Sequence, residues 1–212
     1  MTPQEFKQKL DHKYGEAKKL SAGDDGFRIK RGTAHVISGY AEDLFALYAA
    51  QIRKNRDCTY LVDHSISYRE TDGARAKTCK PDLAILDNGK LTHYYDLKMN
   101  LGFSRDLGHF MQEKQDLING LKTADTWASV TVGEKKERWG ITIPKTLVYH
   151  IVVLYGWNIS EEQMKANEAL ENELSNVELT ILFPRKGKDV EISEEAFAIL
   201  DKSLESISEL KR

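Results

Sequence analysis

Asp82, Asp96 and Lys98 are the residues whose types and spacing can do chemistry. Asp82 follows Pro81 and opens an apolar run, Leu83-Ala84-Ile85-Leu86. Asp87-Asn88-Gly89-Lys90 supplies turn residues, and a second run from Leu91 ends on Asp96-Leu97-Lys98. Asn and Gly accept the left-handed backbone of a tight hairpin turn. Side chains alternate across a strand, so Asp96 and Lys98 point to one face. In a tight hairpin the start of the first strand lies beside the end of the second. That predicts Asp82 next to Asp96 and Lys98. Two carboxylates and one ammonium at a sheet edge can hold a hard divalent cation and do chemistry beside it.

A third acid is expected on a helix. The stretch 33–55 carries Ile37, Ala41, Leu44, Tyr48 and Ile52 as one apolar stripe. Gly39, Ala46 and Ala49 lie on the side of Glu42 and are small enough for a sheet to approach that carboxylate. Glu42 is therefore preferred to its neighbour Asp43 as the helical acid, with Asp43 the alternative.

The order Pro81-Asp82, a gap, then Asp96-Leu97-Lys98 resembles the PD-(D/E)xK nuclease superfamily, which includes many restriction endonucleases. An acid on a preceding helix accompanies that motif in the family, and Gly39 three residues before Glu42 is similar to its pattern there. Asn100, Gly102, Phe103 and Arg105 resemble a stretch that follows the lysine in some of these nucleases. The resemblance spans roughly residues 34–124, plus a later strand.

It implies a restriction-endonuclease-like α/β fold, a mixed β-sheet flanked by helices on both faces. It implies catalytic roles for Glu42, Asp82, Asp96 and Lys98. It also implies a Mg²⁺ site, with Mn²⁺ as substitute, built from Asp82, Asp96, the main-chain carbonyl of Leu97 and Glu42. Lys98 would orient the attacking water and stabilise charge, and Glu42 would bind a second cation or hold a water. The expected function is a Mg²⁺-dependent DNA endonuclease of the type II restriction kind, acting as a homodimer on duplex DNA. One alternative is a nuclease of the same superfamily in repair or in processing branched or single-stranded DNA. Another, of a different class, is a non-catalytic nuclease-fold binding protein. Arg75, Lys77, Lys80, Asn100 and Arg105 are the DNA-contact candidates, with Arg28, Lys30 and Arg31 in an earlier basic loop.

Composition fits this expectation without requiring it. The 212 residues, 41% hydrophobic and 30% charged, suit one soluble domain with a substantial core. A formal net charge of −2 shows no bulk attraction for nucleic acid, which leaves local basic patches to provide it. Cys58 and Cys79 are far apart and form no metal-ligand pair; free thiols in a cytoplasmic protein are expected. Neither a signal peptide nor a membrane-spanning segment is expected, since 1–19 is polar and charged and no apolar run approaches about 20 residues. The histidines form no HxxxH or Cys/His cluster, so zinc is not expected.

The remaining pattern divides 1–32, an N-terminal amphipathic helix and basic loop, from a nuclease domain over 33–212, the two forming one globular unit. One strand is expected over 59–68, a polar loop over 69–80, and a helix over 106–124. A second hairpin is possible over 127–144, its tip at 134–138 directed toward DNA. A buried central strand follows over 147–157, then an acidic helix over 160–173, a strand over 177–183, and a closing helix over 193–211 capped by Ser193.

Overall fold

The computed structural model describes residues 1–21, 37–54, 57–101, 107–124, 127–133 and 136–205. Helix α1 (Pro3–Ser21) and helix α2 (Ser38–Arg53) come first. Strands β1 (Cys58–Val62), β2 (Ile66–Tyr68) and β3 (Lys77–Cys79) lead into the hairpin β4 (Leu83–Asp87) and β5 (Lys90–Lys98). Helix α3 (Gly108–Thr123), strands β6 (Ala128–Val132) and β7 (Glu137–Ile141), and strand β8 (Tyr149–Gly156) follow. Helix α4 (Glu161–Glu173), strands β9 (Val177–Lys186) and β10 (Asp189–Val190), and helix α5 (Glu194–Glu205) close the described chain.

The strands form two sheets. A six-stranded mixed sheet has the order β1-β4-β5-β8-β9-β10, and a four-stranded sheet has the order β3-β2-β6-β7. In the larger sheet β1, β4 and β5 are antiparallel, while β8 runs parallel to both β5 and β9. Every residue of β8 is buried, as a central parallel strand covered on both faces requires. Helices cover both faces. On one side α1, α2 and α5 pack through Phe6, Phe45, Tyr48 and Phe197 onto Leu83, Tyr95 and Leu154. On the other, α3 contributes Met111, Ile118 and Leu121, and the smaller sheet folds over the same core with Ile66, Tyr68 and Val130. Each such fully buried side chain contributes about 1.5–3 kcal/mol relative to solvent exposure. No helix among the described residues is long and apolar enough to cross a membrane.

Several expectations are corrected. The strand expected over 59–68 is two strands in different sheets. Asp63 sits between them with φ 58°, a left-handed conformation that Asp tolerates and that turns the chain out of the first sheet. Tyr60 and Val62 consequently pack on the helix α2 side, and Ile66 and Tyr68 on the other. The expected polar loop contains β3. Within the expected helix over 33–55, the described part begins at Ser38 and ends at Arg53, where Lys54 adopts φ 51°. Gly39 does not admit a close neighbour, because a Cβ built there would meet nothing within 4 Å. The β6–β7 hairpin, the acidic helix and the Ser193 cap, whose hydroxyl accepts from the Ala196 amide at 3.1 Å, are as expected. The basic loop with Arg28, Lys30 and Arg31, the hairpin-tip residues Glu134 and Lys135, and the last residues of the closing helix lie outside the described residues.

Candidate active site

The hairpin that carries the acids is tied down at both ends. Asn88 and Gly89 form its turn with φ 50° and 76°. The Leu91 amide donates to the Thr142 carbonyl, and the Thr142 amide to the Gly89 carbonyl, both at 2.9 Å, linking the tip to the smaller sheet. Next to the turn, Asp87 pairs with Lys90 and Leu86 with Leu91. Beyond it the register shifts by one, so Ile85 pairs with His93 and Leu83 with Tyr95. Thr92 is the extra residue of this β-bulge, and its hydroxyl donates to the Ile85 carbonyl at 3.1 Å.

The bulge decides the site. Residues directly opposite in an antiparallel pair share a face. With the turn-proximal register unbroken, Asp82 would lie opposite Tyr95 on the face covered by α3, and Asp96 would turn to the face covered by α2. The shift brings Asp82 opposite Asp96, on the face covered by α3, and their carboxyl groups come within hydrogen-bonding reach.

Around this pair the partners are specific. The Leu97 amide donates to Asp82 Oδ2 at 2.6 Å. Lys98 Nζ donates to Asp96 Oδ1 at 2.8 Å, and the Tyr149 hydroxyl from β8 donates to Asp96 Oδ2 at 2.9 Å. A strand residue directs its N–H and C=O to the same side, so the Leu97 carbonyl faces the edge occupied by Asp82. Burial, and then the Asp96 carboxyl beside it, push the Asp82 pKa up to about 7. Burial also opposes ionisation of Asp96, but the hydrogen bonds from Asp82, Lys98 and Tyr149 outweigh it and hold Asp96 below the usual carboxylate range. Below about pH 7 the pair thus retains one proton, carried by Asp82.

Glu42 stands at the rim. It is half-buried while Asp43 is exposed, which favours the first of the two helical candidates. Its pKa is raised by burial first and then by Asp63 and Asp43, with Lys80 opposing and Asp96 adding. Lys80 bonds to Asp63 at 2.7 Å, and the Asp63 amide donates to the Asp82 carbonyl at 3.1 Å. Among the described residues no three His, Cys, Asp or Glu side chains are close enough to share one metal ion. Asp82 and Asp96 therefore stand as a pair, with Glu42 near them at the rim.

Beyond Lys98 lies a cavity of about 430 Å³, lined also by Asn100, Leu101, Leu107 and Phe110. Of the remaining contact candidates, Lys77 bonds to Glu70 at 2.7 Å, Arg75 is exposed in the turn before β3, and Arg105 lies outside the described residues. Sequence reasoning missed Tyr149 and Asp63. The signal for Tyr149 was a phenol inside an otherwise apolar buried strand, which must find a hydrogen-bond partner. For Asp63 it was a turn-forming acid in the middle of an alternating run.

The donor set fits a hard divalent cation. It consists of oxygens alone, and burial first, then the Asp96 carboxyl, raise the Asp82 pKa, so a bound cation would offset the cost of ionising Asp82 there. No family model, curated protein or solved structure matches the chain.

Proposed function

We propose that the chain is a Mg²⁺-dependent DNA endonuclease of the PD-(D/E)xK type, with the type II restriction activity as its specific form. The observation that carries this reading is the convergence of Asp82, Asp96, Lys98 and the Leu97 main chain on one notch at the ends of β4 and β5. A restriction-endonuclease-like arrangement is supported by the order α2, β1, the β4–β5 hairpin, α3 and β8. Intact acids and amine favour a catalyst over a binding protein of the same fold.

Asp82, Asp96 and the Leu97 carbonyl would hold Mg²⁺ or Mn²⁺. When bound, the ion supplies charge relief to the phosphate and to the leaving 3′ oxygen. The residues do the rest. Lys98, fixed by Asp96 and 5.6 Å from the Phe110 ring centre, faces the cavity where a phosphodiester would lie. From there it orients the attacking water and stabilises the negative charge that builds on the phosphate. Tyr149 keeps Asp96 ionised and pointed at the notch. Glu42 holds water, or a second cation, at the rim.

Incubation of plasmid and linear duplex with Mg²⁺, Mn²⁺ or chelator tests the reading. Cleavage is expected with either metal and none with chelator. Asp82→Ala is expected to lower the rate by about 10²–10³-fold or more, with an unchanged circular dichroism spectrum. Discrete fragments from a dimeric protein support the restriction activity, and nicking confined to branched or single-stranded substrates would replace it with a processing role. An absence of cleavage with any metal, or full activity in the variant, overturns the nuclease.

A further inference from the structure

The outer face of the smaller sheet carries a cationic surface that runs into the notch. Its inner face is committed to the core through Ile66, Tyr68, Cys79, Val130 and Ile141. On the outer face the register aligns Thr78, Ser67, Ser129 and Gly140 in one row across all its strands. Thr78 and Gly140 at the two ends of the row are exposed, while Ser129 is buried where Arg138 bonds to its hydroxyl, so a partner would meet the row's ends and the arginine that covers its middle. At neighbouring strand spacings of about 4.8 Å, the row is about 14 Å wide. That is roughly four base pairs of duplex at 3.4 Å each.

Above this row two arginines converge on one tryptophan. The Arg69 guanidinium lies 4.2 Å from the Trp127 ring centre and that of Arg138 4.6 Å from it. Arg138 Nε donates to Ser129 Oγ at 2.8 Å, and the Arg69 amide to the Trp127 carbonyl at 3.1 Å. The lysines of this region have carboxylate partners, Lys77 with Glu70 and Lys80 with Asp63. Arg69 and Arg138 have no ion pair among the described residues, and Arg69 Nε is buried without a hydrogen-bond partner. Guanidinium forks held by stacking, with no acid to neutralise them, are preorganised for phosphate oxygens. Thr78 and Lys80 belong to one segment, and the ammonium of Lys80 is held by Asp63 next to Asp82. The surface and the notch are therefore continuous.

We infer that this face is the track for duplex DNA, with Arg69 and Arg138 gripping phosphates a few base pairs from the one at Asp82. The inference rests on the nuclease reading for its geometry but not for its test. A labelled 30-base-pair duplex is titrated with full-length protein in chelator, so that no cleavage occurs. R69A/R138A is expected to weaken binding about tenfold and to reduce the slope of log affinity against log salt by about 2. Because that pair also packs on Trp127, T78E/G140E provides a second route. Both positions are exposed, a Cβ at Gly140 would meet nothing within 4 Å, and the added charges should weaken binding without loss of packing. Unchanged affinity and salt slope in T78E/G140E overturn the track whether or not the protein cleaves. So does a change of oligomeric state by light scattering with DNA affinity preserved, which would make the face a subunit interface. Wild-type binding lost in both variants, with no cleavage under any metal, keeps the track and removes the nuclease.

Discussion

Asp96 is held by more partners than any other acid at the notch, and each leaves it less free to turn. Lys98 occupies one oxygen and Tyr149 the other, so the remaining lone pairs point where Asp82 stands. A hydrogen bond to an ionised group is worth about 1.5–3 kcal/mol. Residues that orient a metal ligand from behind typically account for about 10–100-fold in metal affinity. Tyr149→Phe should therefore weaken Mn²⁺ binding about tenfold, measured by electron paramagnetic resonance without DNA, and lower the thermal midpoint by several degrees while the protein stays folded. Unaltered Mn²⁺ affinity would reduce Tyr149 to a core residue. Its ring packs at a 31° tilt against Tyr94 with centroids 4.8 Å apart, a contact that phenylalanine preserves.

At the scale of elements, the β4–β5 hairpin combines a two-residue turn with a bulge. The turn was legible, since Asn88-Gly89 has few other uses between two apolar runs. The bulge was not, because nothing local in Leu91-Thr92-His93 marks which residue drops out of the ladder. Burial decides it: Leu91 and Tyr94 both belong to the α3-side core, while His93 and Tyr95 face the other way. Thr92 carries no ladder partner, so deleting it should regularise the hairpin while Leu83 stays opposite Tyr95 and Asp82 opposite Asp96. Cleavage by the deletion variant is expected within a few-fold of wild type. The loss of one hydroxyl bond should cost about 1 kcal/mol, read from chemical denaturation. A folded deletion variant without activity would mean that the bulge aims the acids as well as phasing them.

For the whole molecule, the site has a cost that depends on pH. In the folded chain Asp82 keeps its proton up to about pH 7, against about pH 4 in an unfolded chain. A raised carboxyl pKa favours the fold at low pH, and that contribution is lost as pH climbs from about 4 through 7. In chelator, Asp82→Asn should gain on wild type in unfolding midpoint at pH 8 relative to pH 5, and Mg²⁺ should raise the wild-type midpoint at pH 8. An equal difference between the two proteins at both pH values would place the burden on another group. Two cores share the central sheet, and β8 serves both with alternate residues, Ile151 and Val153 on one side and Val152 and Leu154 on the other. That burial was readable in its unbroken apolar run. So were the turn and the inward faces of α1 and α2, because each depends on periodicity or on the conformational habits of adjacent residues. The tertiary structure alone decided that a bulge sets Asp82 opposite Asp96, that Asp63 sends β2 into a second sheet, and that Tyr149 reaches Asp96 from a strand 53 residues away. Pairing between distant segments chooses among registers that are locally equivalent, and only the joint burial of both cores separates them.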